Sequence, residues 1–80
     1  MKVSILIFGI IKDIVGNNKL VVEIEKDSTI STLKNRLLIE YPGLVKYKNY
    51  AVAVNEEYVE DHYRLNINDV IALIPPVSGG

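Results

Sequence analysis

The sequence predicts an α+β fold, a mixed sheet of four to five strands with one main helix on one face. Three observations carry this. The most hydrophobic stretches are short and rich in Ile and Val, and they lie at opposite ends of the chain. One stretch between them, residues 30–41, has helical periodicity. Eighty residues hold one domain, in which a single helix must share its core with the sheet.

Residues 3–8 read as a first strand closed by Gly9, with Val3, Ile5 and Ile7 on one face and Lys2, Ser4, Leu6 and Phe8 on the other. Residues 10–15 then make a single irregular turn before Gly16-Asn17-Asn18, three residues that tolerate positive φ. Residues 19–25 alternate cleanly as a second strand. Leu20, Val22 and Ile24 take one side; Lys19, Val21, Glu23 and Glu25 take the wet one. Ser28 or Thr29 caps a helix whose stripe is Ile30, Leu33, Leu37, Leu38 and Tyr41, and Pro42-Gly43 stops it.

Residues 44–49 connect to a third strand at 50–54, and a short strand at Tyr58-Val59 follows Asn55-Glu56-Glu57. An irregular segment leads to a last strand, residues 70–74. The first and last strands belong side by side and parallel at the sheet centre, since the long connection supplies the crossover that parallel pairing needs. This is the β-grasp, or ubiquitin-like, arrangement. Residues 1–75 form the domain and 76–80 an extended tail.

Composition excludes several functions. Nine basic against ten acidic residues give a net charge of −1, without the positive field that nucleic-acid binding requires. Lys46-Tyr47-Lys48-Asn49-Tyr50 mixes basic and aromatic residues but reads as a strand edge guarded by lysine. With no cysteine there is no thiol nucleophile or thiolate metal site, which fits a reducing compartment, and a cytoplasmic location is expected. The apolar run at residues 3–11 lacks a small-x-small cleavage site and reads as a core strand, not a leader. No run reaches the roughly 18 apolar residues of a membrane span. His62 is the only histidine and has no nucleophile pattern beside it. Glu56, Glu57, Glu60 and Asp61 lack a ligand spacing and read as a solvated acidic face. No catalytic constellation, metal site or bound cofactor is expected.

The chemistry lies in the ending, Pro75-Pro76-Val77-Ser78-Gly79-Gly80. Two prolines stiffen the exit and cannot continue a hydrogen-bonded ladder. Two residues without Cβ let a narrow channel close around the backbone. A frayed terminus is the bland reading; a stem that inserts into a partner is the functional one. The Gly80 carboxylate is ionised at neutral pH and a poor electrophile, so it must be activated from outside, most simply as an anhydride with a nucleotide. A sulfur nucleophile would then convert it to a thiocarboxylate.

Ala53-Val54-Asn55, Val59, Asn68-Asp69-x-Ile71-Ala72 and the Pro75–Gly80 ending together resemble the small subunit of molybdopterin synthase over the whole chain. The resemblance implies a sulfur carrier in molybdenum cofactor synthesis. An adenylating enzyme would activate Gly80 with ATP, and sulfur would be installed as the thiocarboxylate. The large subunit would then take the tail into its active site and pass the sulfur to precursor Z. On this likeness Gly80 is the attachment point, Pro75, Pro76, Val77, Ser78 and Gly79 line the partner's channel, and Phe8, Tyr58 and Ile74 dock. A heterotetramer with two large subunits is implied. Asn68 stands where the family usually has glycine, and Leu73 and Ile74 where aromatics often sit. Two relatives share the fold and ending: the shorter thiamine-pathway carrier, which lacks Pro-Pro-Val-Ser, and a modifier conjugated to lysines through Gly80. A plain binding module with an inert tail is the third alternative.

Overall fold

In a computed structural model the described residues are 1–47 and 49–75. They form one five-stranded sheet in the order β2-β1-β5-β3-β4. The strands are β1 Lys2–Ile7, β2 Lys19–Glu23, β3 Ala51–Val54, β4 Glu57–Val59 and β5 Val70–Ile74. Two helices, α1 Gly9–Val15 and α2 Ile30–Glu40, and a 3-10 helix, Pro42–Tyr47, complete the elements. The β1–β5 pair is parallel, with Ile5 opposite Ile71 and Ile7 opposite Leu73, as the hydrophobic runs require. All other pairs are antiparallel.

The core lies on one side of the sheet. Val3, Ile5, Ile7, Ile71 and Leu73 point inward from the two central strands and meet Ile30, Leu33 and Leu37 of α2. Each such side chain contributes about 1.5–3 kcal/mol of burial free energy relative to full exposure. Leu38 and Tyr41 flank this stripe at half burial.

Several elements depart from the sequence reading. Residues 10–15 are not an irregular turn but most of a seven-residue helix, which Gly16 ends in the left-handed conformation with its N–H on the Lys12 carbonyl. Ile11 and Val15 of α1 seal one end of the core. Strand β1 closes at Ile7, and Phe8, still extended, is the helix N-cap. Strand β2 stops at Glu23, where Arg36 of α2 donates to the Glu23 carbonyl. That contact occupies one acceptor at the sheet edge.

The segment around Tyr47 is a connection, not a strand edge; Lys48 lies outside the described residues. Its Leu44 is buried, as is Tyr50 just before β3. The ammonium of Lys34 stands 5.3 Å over the Tyr50 ring and bonds Asp61 at 2.8 Å. Burial, with a smaller contribution from the Asp61 charge, pushes the Tyr50 hydroxyl up to about 12.

Two hydrogen-bonded devices hold the irregular parts. The first sits at the start of α2, whose opening N–H groups have no partner within the helix. Ile30 N–H donates to the Tyr63 carbonyl, Ser31 N–H to that of Asp61, and Thr32 N–H to the Thr29 hydroxyl. Leu65 N–H donates in turn to the Ser28 carbonyl. The loop is thereby pinned, and Leu65 becomes a core residue.

The second device joins the β3–β4 turn to the entry of β5. Asn55 and Glu56 both have positive φ, 51° and 73°, the two-residue geometry that suits the twist of a hairpin. The Asn55 side chain donates to the buried Asp69 carboxylate at 3.0 Å and accepts from Val70 N–H at 3.0 Å. Asp69 also accepts from Asn66 N–H at 2.7 Å. Asn68, at φ 68°, makes the turn that the expected glycine would make.

Replacing Asn55 by Ala removes a donor and an acceptor at once. It is expected to lower stability by about 1–3 kcal/mol, read as a reduced urea midpoint at unchanged slope. A pH dependence follows from Tyr50. Below pH 10 its phenol is neutral in folded and unfolded chains alike, so its contribution is fully present. As the pH rises from 10 to about 12 the unfolded chain loses the proton first, and stability falls. Tyr50→Phe should flatten that alkaline decline while keeping the buried ring, as checked by denaturation at pH 9 to about 12.

Candidate functional site

Because α2 covers one side of the sheet, every second strand residue faces the other way, where no described helix lies over it. The register aligns one row across all five strands: Lys19, Leu6, Ala72, Ala53 and Tyr58. Alanines at the centre make a shallow floor, and Leu6 and Tyr58 rise on either side. One step beyond the Ile7–Leu73 pair, Phe8, just past the end of β1, and Ile74, the last residue of β5, continue the alternation toward this same face. Tyr58 is 72% exposed and Phe8 49%, while Ile74 is half-buried. Exposed apolar groups gathered on one face of a small domain are a common feature of interaction sites.

The three predicted docking residues therefore share one face, but not one cluster. Phe8 and Ile74 adjoin, whereas Tyr58 stands two strands away from Ile74 across Ala51 and Ala53. The sequence reading left out Val21 and Val70, which enlarge the patch at 62% and 43% exposure. Their signal was available in the strand alternation that set Leu6 and Phe8 outward.

The chain leaves the sheet beside this patch. Pro75 follows Ile74, and its ring lies against Gly9: a Cβ at Gly9 would come within 2.8 Å of the Pro75 Cγ. Gly9 itself has φ 59°. The exit from β5 and the entry to α1 thus touch. Pro76, Val77, Ser78, Gly79 and Gly80, all assigned to the tail, lie outside the described residues.

Of the remaining candidates, Glu56 reaches the rim of the patch beside Val70 and Ala72. His62 is exposed with its Nδ1 3.5 Å from Glu60. Glu56, Glu57 and Glu60 are exposed, and Asp61 is engaged by Lys34. Among the described residues no three His, Asp or Glu side chains gather to hold a metal. No described helix is long and apolar enough to cross a membrane.

Comparison with known proteins agrees with this arrangement. Residues 5–80 match the ThiS family. The molybdopterin synthase sulfur carrier subunit of Dictyostelium discoideum is 36% identical, covering 96% of this chain and 94% of its own. A chain from the complex of subunits 1 and 2 of the molybdopterin-converting factor of Helicobacter pylori superposes with a TM-score of 0.72 at 29% identity, with both chains covered fully. The small archaeal modifier protein 1 of H. volcanii superposes at 0.84, with 21% identity over 95% of this chain and 98% of that one, a likeness of fold.

Since Tyr58 lies 72% exposed on the short edge strand, Tyr58→Ala should shift folding stability by no more than about 0.5 kcal/mol. A thermal or urea melt overlaying the unaltered chain would confirm that this residue serves a surface, not the core.

Proposed function

We propose that this chain, which belongs to the ThiS family, is the sulfur-carrier subunit of a molybdopterin synthase. The observation that carries the reading is the end-to-end match to sulfur carrier subunits, 36% identical in Dictyostelium discoideum and 30% in Arabidopsis thaliana. The geometry supports it, because a broad uncovered apolar face adjoins the root of the glycine tail. The modifier reading has support from likeness of fold alone.

The chemistry starts at the Gly80 carboxylate. An adenylating enzyme couples it to ATP, releasing pyrophosphate and leaving an acyl adenylate. A sulfur donor displaces AMP at the same carbonyl carbon, giving the thiocarboxylate. The tail then enters the large subunit, where the sulfur passes to precursor Z and the Gly80 acyl carbon regains oxygen from water. Two such deliveries complete a dithiolene. The chain supplies cargo and docking, and its partners supply the catalytic groups.

Each part of the chain has one task in this scheme. Phe8, Tyr58 and Ile74 dock the partner through apolar contact, and Leu6, Val21 and Val70 extend that area. Pro75 sets where the tail departs, Pro76, Val77, Ser78 and Gly79 thread the channel, and Gly80 bears the sulfur. The acidic residues 56, 57 and 60 form a polar rim that steers without locking, which suits partners that must exchange. The setting for this exchange is the cytoplasm.

The test is intact mass after incubation with ATP, the cognate activating enzyme and a sulfide source. One oxygen replaced by sulfur is expected, and the change should vanish on deleting Gly80. An unchanged mass with a demonstrably active enzyme would overturn the carrier reading. A lysine-linked ladder on denaturing gels would instead support the modifier.

A further inference from the structure

The two grooves of the uncovered face carry opposite charge. On the β2 side, a groove of about 470 Å³ runs past Leu6 and Phe8 and is rimmed by Lys12, Asn18 and Lys19. On the other side of Leu6, a second groove of about 350 Å³ over Val70 and Ala72 is rimmed by Asn55 and Glu56. Leu6 is the wall they share. Among the described residues the ion pairs are Lys34–Asp61, Arg36–Glu40 and His62–Glu60, and neither Lys12 nor Lys19 takes part. Glu56 and Glu57 at the hairpin also stand outside these pairs.

We propose that the lysine-rimmed groove seats an acidic segment of the large subunit and so fixes the one orientation in which that partner lies across the strands. The proposal rests on the sulfur-carrier reading and specifies what its docking partner must present.

The chemistry selects the occupant. A neutral apolar segment would fill the floor made by Leu6 and Phe8 but would crowd two ammonium groups that form no ion pair among the described residues. An aspartate or glutamate lays its methylenes on that floor and brings its carboxylate to Lys12 and Lys19. A basic segment there would meet like charge, and the same partner turned end for end would set its carboxylates against Glu56. Apolar contact supplies the adhesion, and the lysine and glutamate sides decide its direction. Direction matters because Phe8 lies at the tail root, so a carboxylate over Lys12 and Lys19 is held beside the channel mouth that takes the tail.

The experiment compares association kinetics of the full chain with its cognate large subunit for three proteins. These are the unaltered chain, Lys12→Glu/Lys19→Glu, and Lys26→Glu/Lys46→Glu. The two variants change net charge equally, and Lys26 and Lys46 lie off this face, after β2 and in the 3-10 helix. The groove variant should associate about tenfold more slowly at low ionic strength, with the deficit shrinking as salt is added. The control should change little. Zero-length carbodiimide cross-linking should join Lys12 or Lys19 to partner Asp or Glu side chains. Equal slowing by both variants, no slowing by the groove variant, or cross-links confined to other lysines would overturn the proposal while leaving the carrier reading intact. Failure of the unaltered chain to associate would overturn the carrier reading, and this proposal with it.

Discussion

The parallel pairing of β1 with β5 is the constraint on which the rest of the structure depends. Ser4 and Val70, where their contact starts, are 66 residues apart in sequence, a loop-closure cost that only buried side chains and ladder hydrogen bonds can offset. The pair supplies Ile5, Ile7, Ile71 and Leu73 to the core in one register. A slip of one residue would turn those four outward and drive Leu6, Ala72 and Phe8 in. The same register brings the end of β1 beside the end of β5. Core, open apolar face and the end of β5 are therefore consequences of one alignment.

Having one helical layer leaves the sheet half-dressed, and the molecule uses that. The inner side carries large aliphatics that meet α2. The outer side carries alanines at its centre, Ala72 and Ala53, with larger groups toward the margins. Small residues there limit the apolar area left in water while keeping a floor that a partner's side chains can fill. Stability is meanwhile drawn from elsewhere: Asn55 and Asp69 brace the hairpin, and the 61–65 loop satisfies the first N–H groups of α2. Asn55 reaches only the rim of the open face, beside Val70 and Ala72, and Tyr58 belongs to neither device, so substitution of Tyr58 and loss of fold are separable events.

What was legible in the sequence follows from the range of the forces involved. Strand alternation is local, so the inward and outward faces of β1, β2 and β5 could be read directly, as could the α2 stripe and its Thr29 cap. Phe8 and Ile74 fell on the open face for that reason. Helix α1 was missed because it is seven residues long, starts at a glycine and lacks a capping side chain. Leu65 read as part of an irregular segment, and Tyr50 as the start of a strand that in fact begins at Ala51, yet both are buried. The brace between Asn55 and Asp69 spans 14 residues and has no periodic signature. Such long-range polar pairs become visible only once the strands are in place.

A carrier imposes a requirement on this face that a permanent subunit does not. On the proposed reading the same Gly80 must be delivered first to an activating enzyme and later to a large subunit, and both must dock where the tail root emerges. The two partners then compete for one surface, and neither complex can be so stable that it traps the chain. Alanine-floored apolar contact with exposed rims suits that need, since rim charges govern encounter more than residence. The lysine side would be common to both partners if each holds its acidic segment next to the mouth of its own channel. Recognition would then reside in the domain, leaving the tail free to be nothing more than a narrow, unbranched arm.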